Sequence, residues 1–166
     1  MAERASIRRA QKGSLDDFER LFREHWPRAY RAARLVTGDA AAAEDIAQEA
    51  FLAAVRNLDR FDRRRPFGPW LHRIVVNRAI DWTRARRLRS EVELGDDHAA
   101  AQAPAPELDG ATFARIHELP AEHRAVIVLR YLLEYTPGEI AELLDLPRGT
   151  VNSRLRRGLD RMRDDA

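Results

Sequence analysis

The stretch Thr136-Pro137-Gly138-Glu139-Ile140-Ala141-Glu142-Leu143-Leu144-Asp145-Leu146-Pro147-Arg148-Gly149-Thr150-Val151-Asn152-Ser153-Arg154-Leu155-Arg156-Arg157 reads as a short helix, a tight break and a second helix. Thr136 suits the N-cap, Pro137 the first helical position, and Glu139 closes a capping box with Thr136. Ile140, Ala141 and Leu144 give the first helix its apolar side, and Asp145-Leu146 form the break before Pro147. In the second helix Val151, Leu155, Leu159 and Met162 recur as one buried stripe, with Ser153, Arg156, Arg157 and Asp160 opposite and Asn152 beside Arg156. This is a helix-turn-helix pattern. Asn, Ser and Arg side chains can bond base edges in a major groove, and Arg also pairs with phosphate, so duplex DNA is the first candidate ligand. The alternative is a solvated face on an ordinary helical hairpin.

A chain of 166 residues holds one to two small domains. No stretch approaches the roughly 18 unbroken apolar residues of a membrane span. The start Met1-Ala2-Glu3-Arg4 has no signal-peptide apolar region, so a cytoplasmic location and no membrane insertion are expected. The absence of cysteine excludes disulfides, thiolate chemistry and thiolate-held metals.

Charge is unevenly placed. Residues 1–87 hold 19 Lys/Arg against 12 Asp/Glu, a net of +7, concentrated near Arg63-Arg64-Arg65 and from Arg73 to Arg87. Residues 88–109 carry one Arg against six acids, and residues 110–166 balance at nine each. Such asymmetry points to a polyanionic partner. The acidic segment 89–107 also lacks apolar periodicity and contains Pro104 and Pro106, so it reads as a flexible linker between two helical domains, 1–88 and 108–166.

The first domain reads as all helix. Ser14 caps a helix carrying Phe18, Leu21 and Phe22; Pro27 bends or restarts it, and Gly38 ends it. Asp39 caps the next helix, which runs to about Leu58 with Ala47, Phe51, Ala54, Val55 and Leu58 as its apolar stripe. Asp45, Gln48, Glu49, Leu52 and Arg56 share another face, compatible with docking onto a protein partner or with simple solvation. The loop Asp62-Arg63-Arg64-Arg65-Pro66-Phe67-Gly68-Pro69 follows Phe61, and a helix is predicted from about Trp70. Leu71, Val75, the Arg78 stem and Trp82 face inward on it, while Arg73, Asn77, Asp81 and Arg84 form a separate stripe. Aromatics interleaved with basic residues suit single-stranded nucleic acid, because every base offers a face and every phosphate a charge. Alternatively Trp70, Trp82 and Phe67 fill the core; both tryptophans are expected to be largely core.

Asp45-Ile46-Ala47-Gln48-Glu49-Ala50-Phe51, Leu58-Asp59-Arg60-Phe61, Trp70-Leu71-His72-Arg73-Ile74-Val75-Val76-Asn77 and Asp81 resemble region 2 of sigma-70-type transcription initiation factors. Leu119-Pro120, Arg124, Leu129-Arg130 and the helix-turn-helix resemble region 4. With these two regions and a short linker, the chain is similar to the extracytoplasmic-function (ECF) group. The likeness spans nearly everything except the first dozen residues and the linker.

The resemblance implies an all-α, two-domain factor that binds core RNA polymerase and promoter DNA and makes or breaks no bond, with no cofactor and no metal. Asp45, Gln48, Glu49, Leu52 and Arg56 would meet the clamp helices of the largest polymerase subunit, with the polymerase flap as a further partner element. Phe61, Arg63, Arg64, Arg65, Phe67 and Asn77 would capture bases from the opening minus-10 element, with Arg73, Arg78 and Arg84 along nearby phosphates. Thr150, Asn152, Ser153, Arg156 and Arg157 would read the minus-35 duplex, with Arg130 and Arg148 on its backbone. Asn152 stands where the family frequently has a basic residue, and the 62–69 loop is unusually rich in arginine and proline, so neither promoter element can be copied from a relative. With no extension after the recognition helix, control by a separate anti-sigma protein is expected. A stand-alone helix-turn-helix repressor or activator is the competing class; it would need neither the Asp45–Leu52 face nor the aromatic-basic loop. An enzyme fits less well, because the five histidines are scattered and His117 and His123, six apart, miss the spacing of a helical metal pair.

Overall fold

The computed structural model describes residues 2–92 and 108–164. Helices α1 (Ala2–Ala10), α2 (Leu15–Thr37), α3 (Ala40–Asn57) and α4 (Phe67–Val92) form the N-terminal bundle, with a 3-10 turn at Leu58–Arg60. The C-terminal unit comprises α5 (Gly110–Glu118), α6 (Ala121–Ile127) with a π turn at Val128–Leu132, α7 (Pro137–Leu144) and α8 (Arg148–Asp164). No strand occurs among the described residues.

Local chemistry sets most boundaries. The Ser14 side chain accepts the Asp17 N–H and Asp39 accepts that of Ala42, so each closes an open donor at a helix start. Asp109 does the same for α5 through Thr112. Gly38 ends α2 at φ 72, a left-handed conformation that costs a side chain about 1–2 kcal/mol. The Thr136–Glu139 capping box is present in both directions. Asp145, at φ 54, ends α7 and turns the chain into α8.

Several expectations are corrected. Pro27 sits on the exposed side of α2, which continues through it as one helix. Helix α4 begins at Phe67, before Trp70, and runs to Val92, so residues 89–92 are helix and not linker; the remainder of that segment, 93–107, lies outside the described residues. Val55 and Arg78 are exposed, because each falls just outside the arc of its helix that meets a neighbour. Trp70 and Trp82 are half-buried at the rim of the core. Helix α1 lies in the dozen residues that carried no motif; Ile7 is fully buried beneath it.

The alanines of α3 explain how the bundle closes. Ala43, Ala47, Ala50 and Ala54 are fully buried, and side chains this short let α3 approach α2 and α4 closely at no rotamer cost. Buried Leu21, Leu35, Phe51, Leu71 and Val75 fill the remaining space. In the C-terminal unit Val151, Leu155 and Gly158 seat α8 on α6.

The two units share one contiguous core and pack along a seam of α2 and α4 against α6 and α7. At that seam a Cβ added to Gly38 would lie 2.6 Å from His117 Cδ2, well inside contact distance. Gly38→Ala therefore combines left-handed strain with a clash across the seam. We expect a loss of about 1–3 kcal/mol, read as a lower Tm by calorimetry; an unchanged Tm would remove Gly38 from both roles.

Candidate polymerase and nucleic-acid interfaces

Three faces gather the residues singled out above. On α3, Asp45, Gln48, Glu49, Leu52 and Arg56 all point outward, and Leu52 is 54% exposed, which is unusual for a leucine inside a bundle. Helical spacing alone puts them on one face. Glu49 reaches sideways to Arg78 of α4 at 2.7 Å, so these two side chains, assigned to different partners, meet each other. Asp45 and Glu49 thus border a shallow hollow shared with Arg78 and Trp82.

The second face is the loop after Phe61 and the adjoining stripe of α4. Arg63, Arg64 and Arg65 are exposed, as are Arg73, Asn77 and Arg84. Arg64 folds back on Asp62, donating through Nε and Nη2 at 3.0 Å each, and the guanidinium holds the Asp62 carboxyl below its usual range. Phe67 departs from its expected role. Its ring is fully buried, against His25 at 5.0 Å and Trp70 at 5.6 Å, so it is a core residue and offers no face to a base. Phe61 is also buried, 8% exposed, with its ring tilted against that of Trp70 at 4.6 Å. Its edge nevertheless borders an open cavity of about 490 Å³ lined by Asn57, Arg60, Asp62, Arg65, Trp70 and Ile74. A cavity with an aromatic floor and an arginine rim has the chemistry to hold a base beside its phosphate.

The third face is α8. Arg148, Asn152, Arg156 and Arg157 are exposed, Thr150 and Ser153 half-buried, and the opposite side is seated on the core. Arg130 stands apart from them: it is half-buried, lies over the Tyr131 ring and donates to the Tyr135 carbonyl at 3.4 Å.

The seam controls how these faces are presented. Arg28 and Arg31 of α2 donate to the carbonyls of Leu133 and Leu132 at 2.6 and 3.1 Å. Arg84 of α4 pairs with Glu122 of α6. A cleft of about 350 Å³ has Arg65, Trp70 and Arg73 on one side and Glu139, Glu142 and Leu143 of α7 on the other. The acids of the C-terminal unit thus stand over part of the arginine stripe, while the α8 face remains outward. Deeper in, His72 Nδ1 is hydrogen-bonded to the Tyr135 hydroxyl at 2.6 Å. Burial, then the nearby Arg28 and His25, push His72 down to about 4; burial also raises Tyr135 to about 12. Burial followed by Arg124 lowers His117 to about 4. The seam residues Arg28, His72, Arg124 and Tyr135 carry no functional signal in the sequence, because contacts between residues 63 to 105 positions apart leave no local pattern.

The sigma-70 region 2 profile matches residues 21–89 and the sigma-70 region 4 profile residues 115–164. The chain is 35% identical over 173 aligned positions to the ECF RNA polymerase sigma factor SigW of Bacillus subtilis, covering 95% of this chain and 92% of that one. It is 34% identical to the ECF RNA polymerase sigma factor SigM of Mycobacterium tuberculosis, covering 87% and 74%. A solved structure, CnrH in complex with the cytosolic domain of CnrY, superposes with TM-score 0.75 at 27% identity, covering 99% of this chain and 96% of that one. A chain that carries sigma-70 regions 2 and 4 in that order is a transcription initiation factor by class. The chain belongs to the sigma-70 family and, within it, to the ECF RNA polymerase sigma factors.

The buried histidines set a pH dependence. His72 and His117 titrate near 6.5 when free and near 4 when the seam is closed, so closure is fully supported above about 6.5 and loses support as pH falls toward 4. Each histidine that gains a proton on opening tilts the balance by at most ~1.4 kcal/mol per pH unit. The chain has no cysteine, so Glu19→Cys and Arg161→Cys would place one dye on each unit. Energy transfer should fall between pH 7 and pH 5; a flat profile would mean that the histidines do not hold the seam.

Proposed function

We propose that this sigma factor divides its work among the three faces described above. The α3 face of Asp45, Gln48, Glu49, Leu52 and Arg56 docks onto the clamp helices of the largest polymerase subunit, and the C-terminal unit onto the flap. The cavity at Phe61, with Arg63, Arg65, Asn77 and the Arg73 and Arg84 stripe, receives single-stranded minus-10 bases and their phosphates. Asn152, Ser153, Arg156 and Arg157 read the minus-35 duplex, with Thr150 and Arg148 at its edge. The observation that carries this reading is the separation of an acidic face with one exposed leucine from two basic ones, of which one is a helix and the other an aromatic-floored cavity. Duplex reading needs the first kind of basic surface and strand capture the second.

The protein works in the cytoplasm, where polymerase and chromosome are, and drives opening by binding energy without making or breaking a bond. The relative CnrH was solved bound to the cytosolic domain of CnrY. A separate anti-sigma protein is the proposed controller here also, seated where it holds the seam closed or covers the α3 face. A repressor acting without polymerase would leave the exposed Leu52 face unexplained.

Transcription from a promoter panel by core polymerase, with and without this chain, tests the reading directly. New start sites and a stable complex on a sizing column are expected; DNA binding with no effect on core polymerase would transfer the chain to the repressor class. Asp45→Arg should weaken holoenzyme formation at least several-fold with an unchanged helical spectrum, and normal assembly would move the dock elsewhere. Arg157→Ala should cost about 1–3 kcal/mol on a cognate minus-35 duplex. Unchanged affinity and preference would take Arg157 off the reading face.

A further inference from the structure

We infer that Gln11, at the end of α1, is a positioning residue for the minus-10 pocket and, through it, for base preference; this rests on the reading of the Phe61 cavity given above. The side-chain amide of Gln11 donates to two carbonyls 47 and 50 residues away, Leu58 O at 2.8 Å and Phe61 O at 3.1 Å. Those carbonyls bracket the 3-10 turn Leu58–Arg60. Phe61 is the first residue after that turn, and its ring forms the floor of the cavity beside Trp70. One planar amide has two N–H groups in a fixed fork, so bonding both carbonyls fixes the distance and the angle between the ends of the turn.

The anchor behind Gln11 is itself rigid. Arg9 holds the Asp17 carboxylate through Nε and Nη2 at 2.8 and 2.7 Å, and Ser14 Oγ donates to the same carboxylate at 2.8 Å. Arg9 and then Ser14 push the Asp17 carboxyl far below its ordinary range, which keeps this anchor charged. Glu3 bonds His25 at 2.8 Å, and fully buried Ile7 pins the middle of α1. The backbone closes the last turn: Gln11 N–H donates to Ile7 O at 2.8 Å and Ser14 N–H to Arg9 O at 3.0 Å, around Gly13 at φ 95.

The consequence is specific to the pocket. Asp62, Arg64 and Arg65 continue from Phe61, and their own bonds are local to the loop: Arg65 N–H to Asp62 O, and Arg64 to the Asp62 carboxylate. Gln11 is therefore the side chain that ties the entry of this arginine loop to a distant, anchored helix. α1 lies outside the stretch 21–89 matched by the region 2 profile, so the pocket's geometry depends on a segment beyond that match.

Gln11→Met keeps the length and volume of the side chain and removes both donors; Gln11→Glu keeps the shape and sets a carboxylate against two carbonyls. Holoenzyme carrying each variant would be titrated with a single-stranded non-template oligonucleotide spanning the minus-10 element of a promoter mapped in the transcription panel. A second set of oligonucleotides carries substitutions at each position. The readout is the ratio of cognate to substituted affinity. A fall in the folded fraction scales all these affinities together and leaves the ratio unchanged, so the ratio separates positioning from mere stability. We expect the ratio to drop about ten-fold in both variants, comparable to losing one to two hydrogen bonds' worth of order, while core polymerase affinity and minus-35 duplex binding are retained. A retained ratio in both variants, with Arg65→Ala losing oligonucleotide affinity, would overturn the positioning role and leave the minus-10 reading in place. A wild-type holoenzyme with no base preference on these oligonucleotides would overturn both.

Discussion

The guanidinium of Arg124 holds the molecule together. It is 6% exposed and donates to four carbonyls: Ile116 at 3.1 Å, His117 at 2.6 Å, Leu119 at 3.0 Å and, across the seam, Val36 at 2.7 Å. Burying an isolated cation costs several kcal/mol, and such a charge persists only where its donors are met. Here they are met by backbone at two helix ends. Leu119 ends α5 and Val36 lies in the last turn of α2, where unpaired carbonyls concentrate the negative end of the helix dipole. Burial lowers Arg124 to about 10, which still leaves it charged at neutral pH. One side chain therefore caps two helices from different halves of the chain: three of its bonds lie within the C-terminal unit and the fourth, to Val36, crosses the seam.

That constraint explains why the arginine stripe of α4 is partly covered. Once Arg124 docks α6 on the end of α2, Glu122 in the same helix comes within reach of Arg84. The turn after α6 comes to Arg28 and Arg31, and α7 is laid over Arg65 and Arg73. The Glu122 carboxylate then pairs with Arg84, and Glu139 and Glu142 face Arg65 and Arg73 across a cleft. Under the proposed function Arg84 would meet a phosphate in place of Glu122, so closure and promoter binding would compete for that side chain. Among the described residues the α8 face has no such cover: Arg148, Asn152, Arg156 and Arg157 are exposed.

How much of this was legible in sequence follows the range of each interaction. Ser14, Gly38, Asp39, Thr136 and Glu139 act on backbone within four residues, and each marks a helix end where expected. The stripe of Val151 and Leu155 is visible because one helix repeats it. Phe67 was misplaced because an aromatic between arginines has the same pattern whether its ring turns outward or inward; here Pro66 and Gly68 flank a helix start that points the ring at His25. His72 shows the same limit. It sits within a strong family motif, yet its 2.6 Å bond to Tyr135 spans 63 residues and could be found only in three dimensions. The acidic face of α3 was legible as a face, and its exposed leucine is what gives that face more than a solvated character.

The least readable part is the loop after Phe61, to which the proposed function assigns the minus-10 bases. That loop has an unusual composition, and its surroundings come from elsewhere in the chain: Gln11 bonds the Phe61 carbonyl, Trp70 packs against the Phe61 ring, and α7 lines a cleft beside Arg65. A pocket whose walls come from three separated segments can change its preference without any change in the residues that touch the base. Sequence comparison confined to the loop therefore cannot transfer a minus-10 element between relatives. Residues such as Gln11 and Glu139, which bear on the loop from helices assigned to other tasks, belong in any such comparison.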